Sequence, residues 1–320
     1  MPARRMPRIA IAQVPMHWEL ADNVRAMRQA MRRARAEGAG LCTFPELALT
    51  GFHRRIVEWA RPELVAPAIA QVQAEAAALG LAVAFGAPTF GAGGERFNSH
   101  LFVHGAEVGA HVGAGAGVDA GAGADAGAGA DVGADVVAGA GAGIRADGGV
   151  DFRASGADRG AGTIAGVVSK VGLTAPEATF FRPGAGRPVV RLALGAGHGE
   201  LACSAVICRE VEDHDAVVAA LAGSGVELLL WPGQMRPDPA KPPQDPPAHV
   251  AQAQALARAT GAWVVQANWP NALNRPEESA HTGHSACIAP DGELLFRLPV
   301  QGFGLGVFAL GERGFAWHAC

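Results

Sequence analysis

Hydrophobic and polar positions along this 320-residue chain fall into patterns that name their own elements. Arg8 to Val14 alternates Ile, Ala and Gln in a short run that predicts a strand. Leu20, Val24, Met27, Met31 and Ala34 recur at spacings of four and three, with Arg25, Arg28, Arg32 and Arg35 on the other side. That spacing predicts an amphipathic helix, with Asp22 and Asn23 as candidate caps and Gly38 and Gly40 near its end. Leu41 to Phe44 predicts a second strand, and Ile69, Val72, Ala76 and Leu79 a second helix stopped by Gly80. Leu81 to Gly86 and Phe97 to His104 predict two further strands. The order β-α-β-α-β-β predicts a mixed sheet with helices packed on one or more faces.

The pattern resumes at Thr163 to Ser169, then in Val189 to Leu192 and Leu201 to Ile207, all predicted as strands. A helix near Asp215 to Gly223, a buried strand from Val226 to Trp231 and a helix from Val250 to Thr260 follow. Gly233 to Pro247 reads as a proline-rich loop, and Trp263 to Ala267 as a strand reaching Asn268. Ser285 to Ala289, Glu293 to Leu298 and Leu305 to Leu310 close the chain as strands, with Pro290-Asp291-Gly292-Glu293 as a hairpin turn.

Between these halves, from about Gly105 to Gly162, Gly and Ala nearly alternate, with Asp119, Asp125, Asp131 and Asp135 among them. Glycine recurs mostly at every second residue and proline is absent, which excludes collagen, whose period is three. Each glycine costs a helix about 1 kcal/mol relative to alanine. The small side chains offer little surface to offset ordering entropy. This predicts a disordered or loosely extended insertion in one domain spanning residues 1–320.

Composition changes the picture in three places. A net charge of −4 with scattered arginine gives no argument for nucleic acid. No uncharged apolar run approaches the roughly 18 residues of a membrane helix. The five cysteines, Cys42, Cys203, Cys208, Cys287 and Cys320, show no paired spacing, which predicts reduced thiols in a cytoplasm and neither disulfides nor zinc.

Three predicted strands end in chemistry. Cys208 follows an apolar strand and precedes Arg209, Glu210, Glu212 and Asp213. A cysteine at a strand-to-helix turn stands at a sheet edge, where a helix N-terminus favours thiolate. Taken alone, a lone cysteine is more often a small buried hydrophobe. Glu46 follows the second strand and Pro45; by itself it reads as an acid at a helix N-terminus. Lys170 follows the Thr163 strand in a chain that has only one other lysine, Lys241, and abundant arginine. Glu177 lies further along the loop after Lys170. Together a thiol, a carboxylate and an ammonium make a nucleophile, a base and a stabiliser of developing charge.

These stretches also resemble the carbon–nitrogen hydrolase (nitrilase) superfamily. The resemblance is carried by Phe44-Pro45-Glu46-Leu47-Ala48-Leu49-Thr50-Gly51, by Ser169-Lys170-Val171-Gly172-Leu173 with Glu177 and Phe181-Arg182-Pro183-Gly184, and by Ile207-Cys208-Arg209-Glu210. Val264-Val265-Gln266-Ala267-Asn268 and Gly283-His284-Ser285 are later echoes. It implies a four-layer α-β-β-α sandwich, self-association into a dimer or higher homo-oligomer, and catalytic Glu46, Lys170 and Cys208 with Glu177 as the supporting glutamate. It implies no cofactor and no metal; His281 and His284, the closest histidine pair, sit in a turn. The chain departs from the superfamily where members often carry Arg before the lysine and His two residues after it; here these are Ser169 and Gly172. The Arg209 to Asp215 segment also lacks the aromatic residue and Phe-Pro-Glu of many amidase-type members, and Arg209 stands where true nitrilases favour Trp.

The resemblance implies hydrolysis of a small amide, with a nitrile as the alternative, through a Cys208 thioester. The Arg209 amide and the Lys170 amine would form the oxyanion site, and the Arg209 side chain hints at a carboxylate on the substrate if it turns into the pocket. An acyltransferase with an amine acceptor, a catalytically silent binding module and a thiol redox protein are the other readings.

Overall fold

The computed structural model describes residues 6–105, 143–144, 150–151, 161–195, 197–236 and 247–319. A seven-stranded sheet contains β1 (Arg8–Gln13), β2 (Leu41–Thr43), β3 (Ala82–Phe90), β4 (Arg96–Val103), β7 (Ile164–Ser169), β14 (Gly304–Ala309) and β15 (Ala316–Ala319). Its order is β15-β14-β1-β2-β3-β4-β7. A six-stranded sheet contains β8 (Val190–Ala193), β9 (Glu200–Ala205), β10 (Leu228–Gly233), β11 (Trp263–Asn268), β12 (Ala286–Ile288) and β13 (Leu294–Arg297), in the order β13-β12-β11-β10-β9-β8. Helices α1 (Leu20–Ala36) and α3 (Pro62–Leu79) pack on the first sheet, and α5 (His214–Leu221) and α6 (Ala248–Thr260) on the second. Short helices α2 (Ile56–Trp59) and α4 (Ala175–Ala178) lie in the connections. Two mixed sheets face each other between two helical layers, as the α-β-β-α expectation requires.

Period-two alternation explains how one sequence feeds both cores. On β1, Ile9 and Ile11 point between the sheets while Ala10 and Ala12 face the helices. On β10, Leu228 and Leu230 point between the sheets, and Leu229 and Trp231 meet α5 and α6. Strands buried on both faces read as nearly continuous apolar runs, as Leu228 to Trp231 does. On the outer layer, α1 buries Val24, Met27, Ala30, Met31 and Ala34, the stripe that its spacing predicts. Glu75 of α3, itself buried, is gripped by Arg28 and Arg32 of α1, each at 2.7 Å, so the polar face of α1 also ties the two helices together. Gly80 caps α3 in the left-handed region at φ 58°, where a side chain would be strained.

Two expectations are corrected. Asp22 and Asn23 do not cap α1: its N-cap is Glu19, without a side-chain bond, and Asn23 instead pairs with the backbone of His17 from the first turn. The strand-to-helix turn at Cys208 is a single 3-10 turn over Cys208–Glu212, and α5 starts only at His214. The strand expected at Leu305 to Leu310 is β14, paired antiparallel along all six residues of β1, with Leu305, Val307 and Phe308 buried in the core. The disordered insertion expected at about 105–162 lies outside the described residues except at its ends and in the paired β5 (Gly143–Ile144) and β6 (Val150–Asp151). Much of the expected proline-rich loop, residues 237–246, also lies outside them. Among the described residues no helix is long and apolar enough to cross a membrane.

The ends of that stretch are adjacent. β4 and β7 pair antiparallel, His104 N–H donates to Thr163 O at 2.9 Å, and Gly162 N–H donates to His104 O at 2.9 Å. A chain segment joining such neighbours changes closure entropy only slowly with length. Replacing residues 110–161 by a short turn is expected to leave a protein that unfolds cooperatively; denaturant unfolding followed by circular dichroism checks this.

Candidate active site

Each candidate residue is set by the end of a strand. Glu46 follows β2, on a backbone that crosses over β3. A Cβ on Gly86 of β3 would lie 2.1 Å from the Leu47 nitrogen and 2.8 Å from the Glu46 carbonyl carbon. Only glycine permits that approach. Leu47 takes φ 51°, Leu49 N–H bonds Gly86 O at 3.0 Å, and the Trp269 indole donates to Glu46 O at 2.8 Å. Lys170 follows β7, and its loop returns through a Gly184 N–H bond to Lys170 O at 2.8 Å. Glu177 is placed by a capping box: Thr174 Oγ accepts from Glu177 N–H at 3.3 Å, and Glu177 Oε2 accepts from Thr174 N–H at 2.9 Å.

These elements bring the three charges together. Lys170, with no exposed surface, donates to Glu46 Oε1 and to Glu177 Oε1, each at 2.7 Å. Asn98 on β4 lies under both carboxylates, donating from Nδ2 to Glu46 Oε1 at 2.7 Å and to Glu177 Oε1 at 3.1 Å. Asn98 was not anticipated from the sequence. Its mark there is weak, a polar residue on the inward face of a strand whose next inward positions are His100 and Phe102. Glu46 Oε2, also buried, has no hydrogen-bond partner among the described residues.

The two carboxylates differ in ionisation. Burial pushes the Glu46 carboxyl above the ordinary range, with Lys170 opposing and Glu177 adding to the rise. Burial acts on Glu177 too, but Lys170 and the Thr174 donors outweigh it and hold its carboxyl below that range. Burial disfavours the Lys170 ammonium, yet Glu46, Cys208 and Glu177 together push its pKa up, so it stays charged. A carboxyl raised in pKa beside a carboxylate held ionised is the separation found where one of two acids handles protons.

Cys208 is electrostatically coupled to this cluster. It adopts φ 54°, sparsely populated for a side chain larger than glycine. The Trp231 indole donates to its carbonyl at 3.0 Å, and its thiol lies 3.7 Å from Met235 Sδ. The side chain remains partly accessible. Burial, reinforced by Glu46, pushes the thiol up to about 12, with Lys170 acting in the other direction. The expected help from a helix N-terminus does not arise, because the following turn is too short to carry such a field and α5 begins six residues later.

Arg209 is placed in the structurally paired arrangement. Its guanidinium makes two bonds to Asp213, at 2.7 and 3.1 Å. Among the described residues no group of three or more His, Cys, Asp or Glu side chains has a metal-holding arrangement.

The carbon-nitrogen hydrolase family model matches residues 8–109. The fold is similar to that of an amidase from Nesterenkonia sp., at 21% identity and TM-score 0.65, covering 96% of this chain and 91% of that one. It is also similar to a cysteine-to-alanine variant of the Nesterenkonia sp. AN1 amidase in complex with butyramide, at 21% identity and TM-score 0.66, covering 98% and 94%. A further similar structure, at 21% identity and TM-score 0.66 over 97% and 92%, shows that amidase with the acetamide moiety of fluoroacetamide added at its active-site cysteine. No curated protein sequence matches the chain.

The likeness to the carbon–nitrogen hydrolase superfamily therefore holds. Two of the departures from the superfamily pattern prove to be one. A Cβ at Gly172 would lie 2.3 Å from Asp213 Oδ2 and 3.1 Å from Arg209 Nη1. The Arg209–Asp213 pair fills the space that a side chain two residues after the lysine would need. A histidine there would require this ion pair to shift.

Gly86→Ala is expected to lower stability by about 1–3 kcal/mol through overpacking and to displace Glu46. The urea midpoint checks the first effect. Alkylation of Cys208 by iodoacetamide checks the thiol itself: its rate should rise about tenfold per pH unit from about pH 7 to about pH 10 with no plateau, because only the thiolate reacts.

Proposed function

We propose that the chain hydrolyses small amides through a Cys208 thioester, with Glu46 as base, Lys170 as oxyanion stabiliser and Glu177 as the fixed anion that keeps Lys170 charged. The observation that carries this reading is the unpartnered Oε2 of Glu46. Its other oxygen is committed to Lys170 and Asn98, so one lone-pair face of a buried base remains for a proton in transit.

The resting thiol is protonated, since burial holds its pKa near 12. Attack on the carbonyl carbon is therefore coupled to transfer of the thiol proton to Glu46. The new S–C bond forms as the C=O electrons move onto oxygen. Lys170 spends two of its three donors on Glu46 and Glu177, which leaves one for that oxygen; the Arg209 N–H is the second donor. Collapse of the intermediate breaks the C–N bond, and Glu46 returns the proton to the departing nitrogen. Water then repeats the sequence: Glu46 takes its proton, an O–C bond forms, the S–C bond breaks, and the thiol is protonated again. The butyramide complex and the acetamide adduct of the structurally similar amidase support small aliphatic amides as the first substrates to try.

Amides are preferred to nitriles on this reading because Arg209 stands where true nitrilases favour Trp, and Arg209 is committed to Asp213. Self-association into a homodimer or higher homo-oligomer and a cytoplasmic location belong to the same proposal. Light scattering at micromolar concentration is expected to give more than one chain.

The test is turnover on an amide and nitrile panel with intact-mass detection of an acyl adduct, absent from Cys208→Ala. Turnover of nitriles alone overturns the amide preference, and no adduct with any substrate overturns the mechanism. Glu46→Gln is expected to lose about 100- to 10,000-fold in turnover while Cys208 still reacts with a haloacetamide. Lys170→Arg keeps the charge but replaces a compact donor with a planar fork, and should lose on the order of 100- to 1000-fold in single-turnover acylation with the fold retained by circular dichroism.

A further inference from the structure

Glu210, two residues after Cys208, is fully buried and accepts hydrogen bonds at both carboxylate oxygens. Oε1 accepts from Val171 N–H at 2.7 Å and Gly172 N–H at 2.9 Å. Oε2 accepts from Ile207 N–H at 2.6 Å. Arg187 completes the set with a fork, Nη2 to Oε1 at 3.0 Å and Nη1 to Oε2 at 3.1 Å. The Arg187 side chain is only 5% exposed and also donates to the Ala205 carbonyl at the end of β9.

The sequence positions of these donors give the network its meaning. Val171 directly follows Lys170, and Ile207 directly precedes Cys208. The Lys170 loop belongs to one sheet and the Cys208 turn to the other, with β7 and β9 in different sheets. One carboxylate thus spans the gap between the stabilising amine and the nucleophile, one oxygen on each side. We propose that Glu210, held by Arg187, is a positioning residue that fixes the separation of Lys170 from Cys208.

The inference rests on the roles proposed above for those two residues. Glu210 touches no reacting atom, so its effect passes through Lys170 and Cys208. A carboxylate is needed because every partner donates. A glutamine would keep one acceptor oxygen and turn an amide N–H₂ toward donors on the other side. Releasing either loop lets the ammonium drift from the thiol, and catalysis is sensitive to ångström-scale misplacement.

Glu210→Gln and Arg187→Lys provide the test, each compared with the parent for circular dichroism, unfolding midpoint, iodoacetamide alkylation of Cys208 across pH, and steady-state turnover on the best amide. Cys208→Ala supplies the alkylation background. Glu210→Gln is expected to lower kcat at least about tenfold with KM within about threefold, the signature of an alignment that matters in the transition state. Its alkylation profile should move to higher pH, because Lys170 no longer favours the thiolate. Arg187→Lys should move both readouts in the same direction by less. A folded Glu210→Gln protein with parental kcat and a parental alkylation profile overturns the proposal. So does a variant that only unfolds more easily while each reactive thiol keeps the parental rates. If Glu210→Gln does not fold, Arg187→Lys decides by the same readouts, and parental values there overturn the proposal. Absence of amide turnover by the unaltered protein counts against the proposed function instead, and the alkylation comparison still decides the role of Glu210.

Discussion

A buried ammonium is tolerable only where its charge is balanced and its donors are used, and Lys170 sets that condition for the whole site. It has no exposed surface and two carboxylate partners at 2.7 Å. Removing one member of such a buried set typically costs about 3–5 kcal/mol, because the remaining charge is stranded. The two glutamates come from distant segments, one after β2 and one from a capping box on α4. The ion cluster thus demands that β2, β4 and β7 and the loop after β7 be correctly placed at once. Asn98 extends the same demand by touching both carboxylates from β4.

The cluster also explains the unequal acids. Two carboxylates and one ammonium leave an excess negative charge in a dry setting. The excess is accommodated by Glu46, whose carboxyl is raised, while Glu177 is held ionised. On the proposed mechanism, that division leaves Glu46 able to take a proton from the Cys208 thiol, which burial holds protonated. Such a site would work by coupled transfer rather than with a standing thiolate, unlike cysteines activated by a helix N-terminus.

Around the charges, close backbone approaches do the positioning. Gly86 lets the Glu46 backbone cross β3, and Gly172 lets the Arg209–Asp213 pair occupy the space beside the lysine loop. The Arg209–Asp213 pair and the missing side chain at Gly172 look unrelated in the chain, nearly forty residues apart in sequence, and are one packing solution in space.

The sequence by itself determined the layers and the polar groups that stand just after the strands. Strand and helix periodicity located β1, α1, β10, β11 and the C-terminal part of α3 to within a few residues, because each buries a whole face and the hydrophobic pattern must follow. The strand-end residues Glu46, Lys170 and Cys208 were legible for a related reason, since polar chemistry stands out directly after apolar runs. Glu177 could also have been read from its Thr174-Ala175-Pro176-Glu177 capping signature. Tertiary structure alone decided the rest. Asn98 and Glu210 look like ordinary polar residues until strands distant in sequence bring their donors and acceptors together. The N-cap of α1 and the short turn after Cys208 likewise depart from what the sequence suggested, whereas the pairing of Arg209 with Asp213, four residues on, is a local contact. Local sequence specifies burial because burial is periodic along the chain, whereas a charge network is specified by distances between segments that no local window contains.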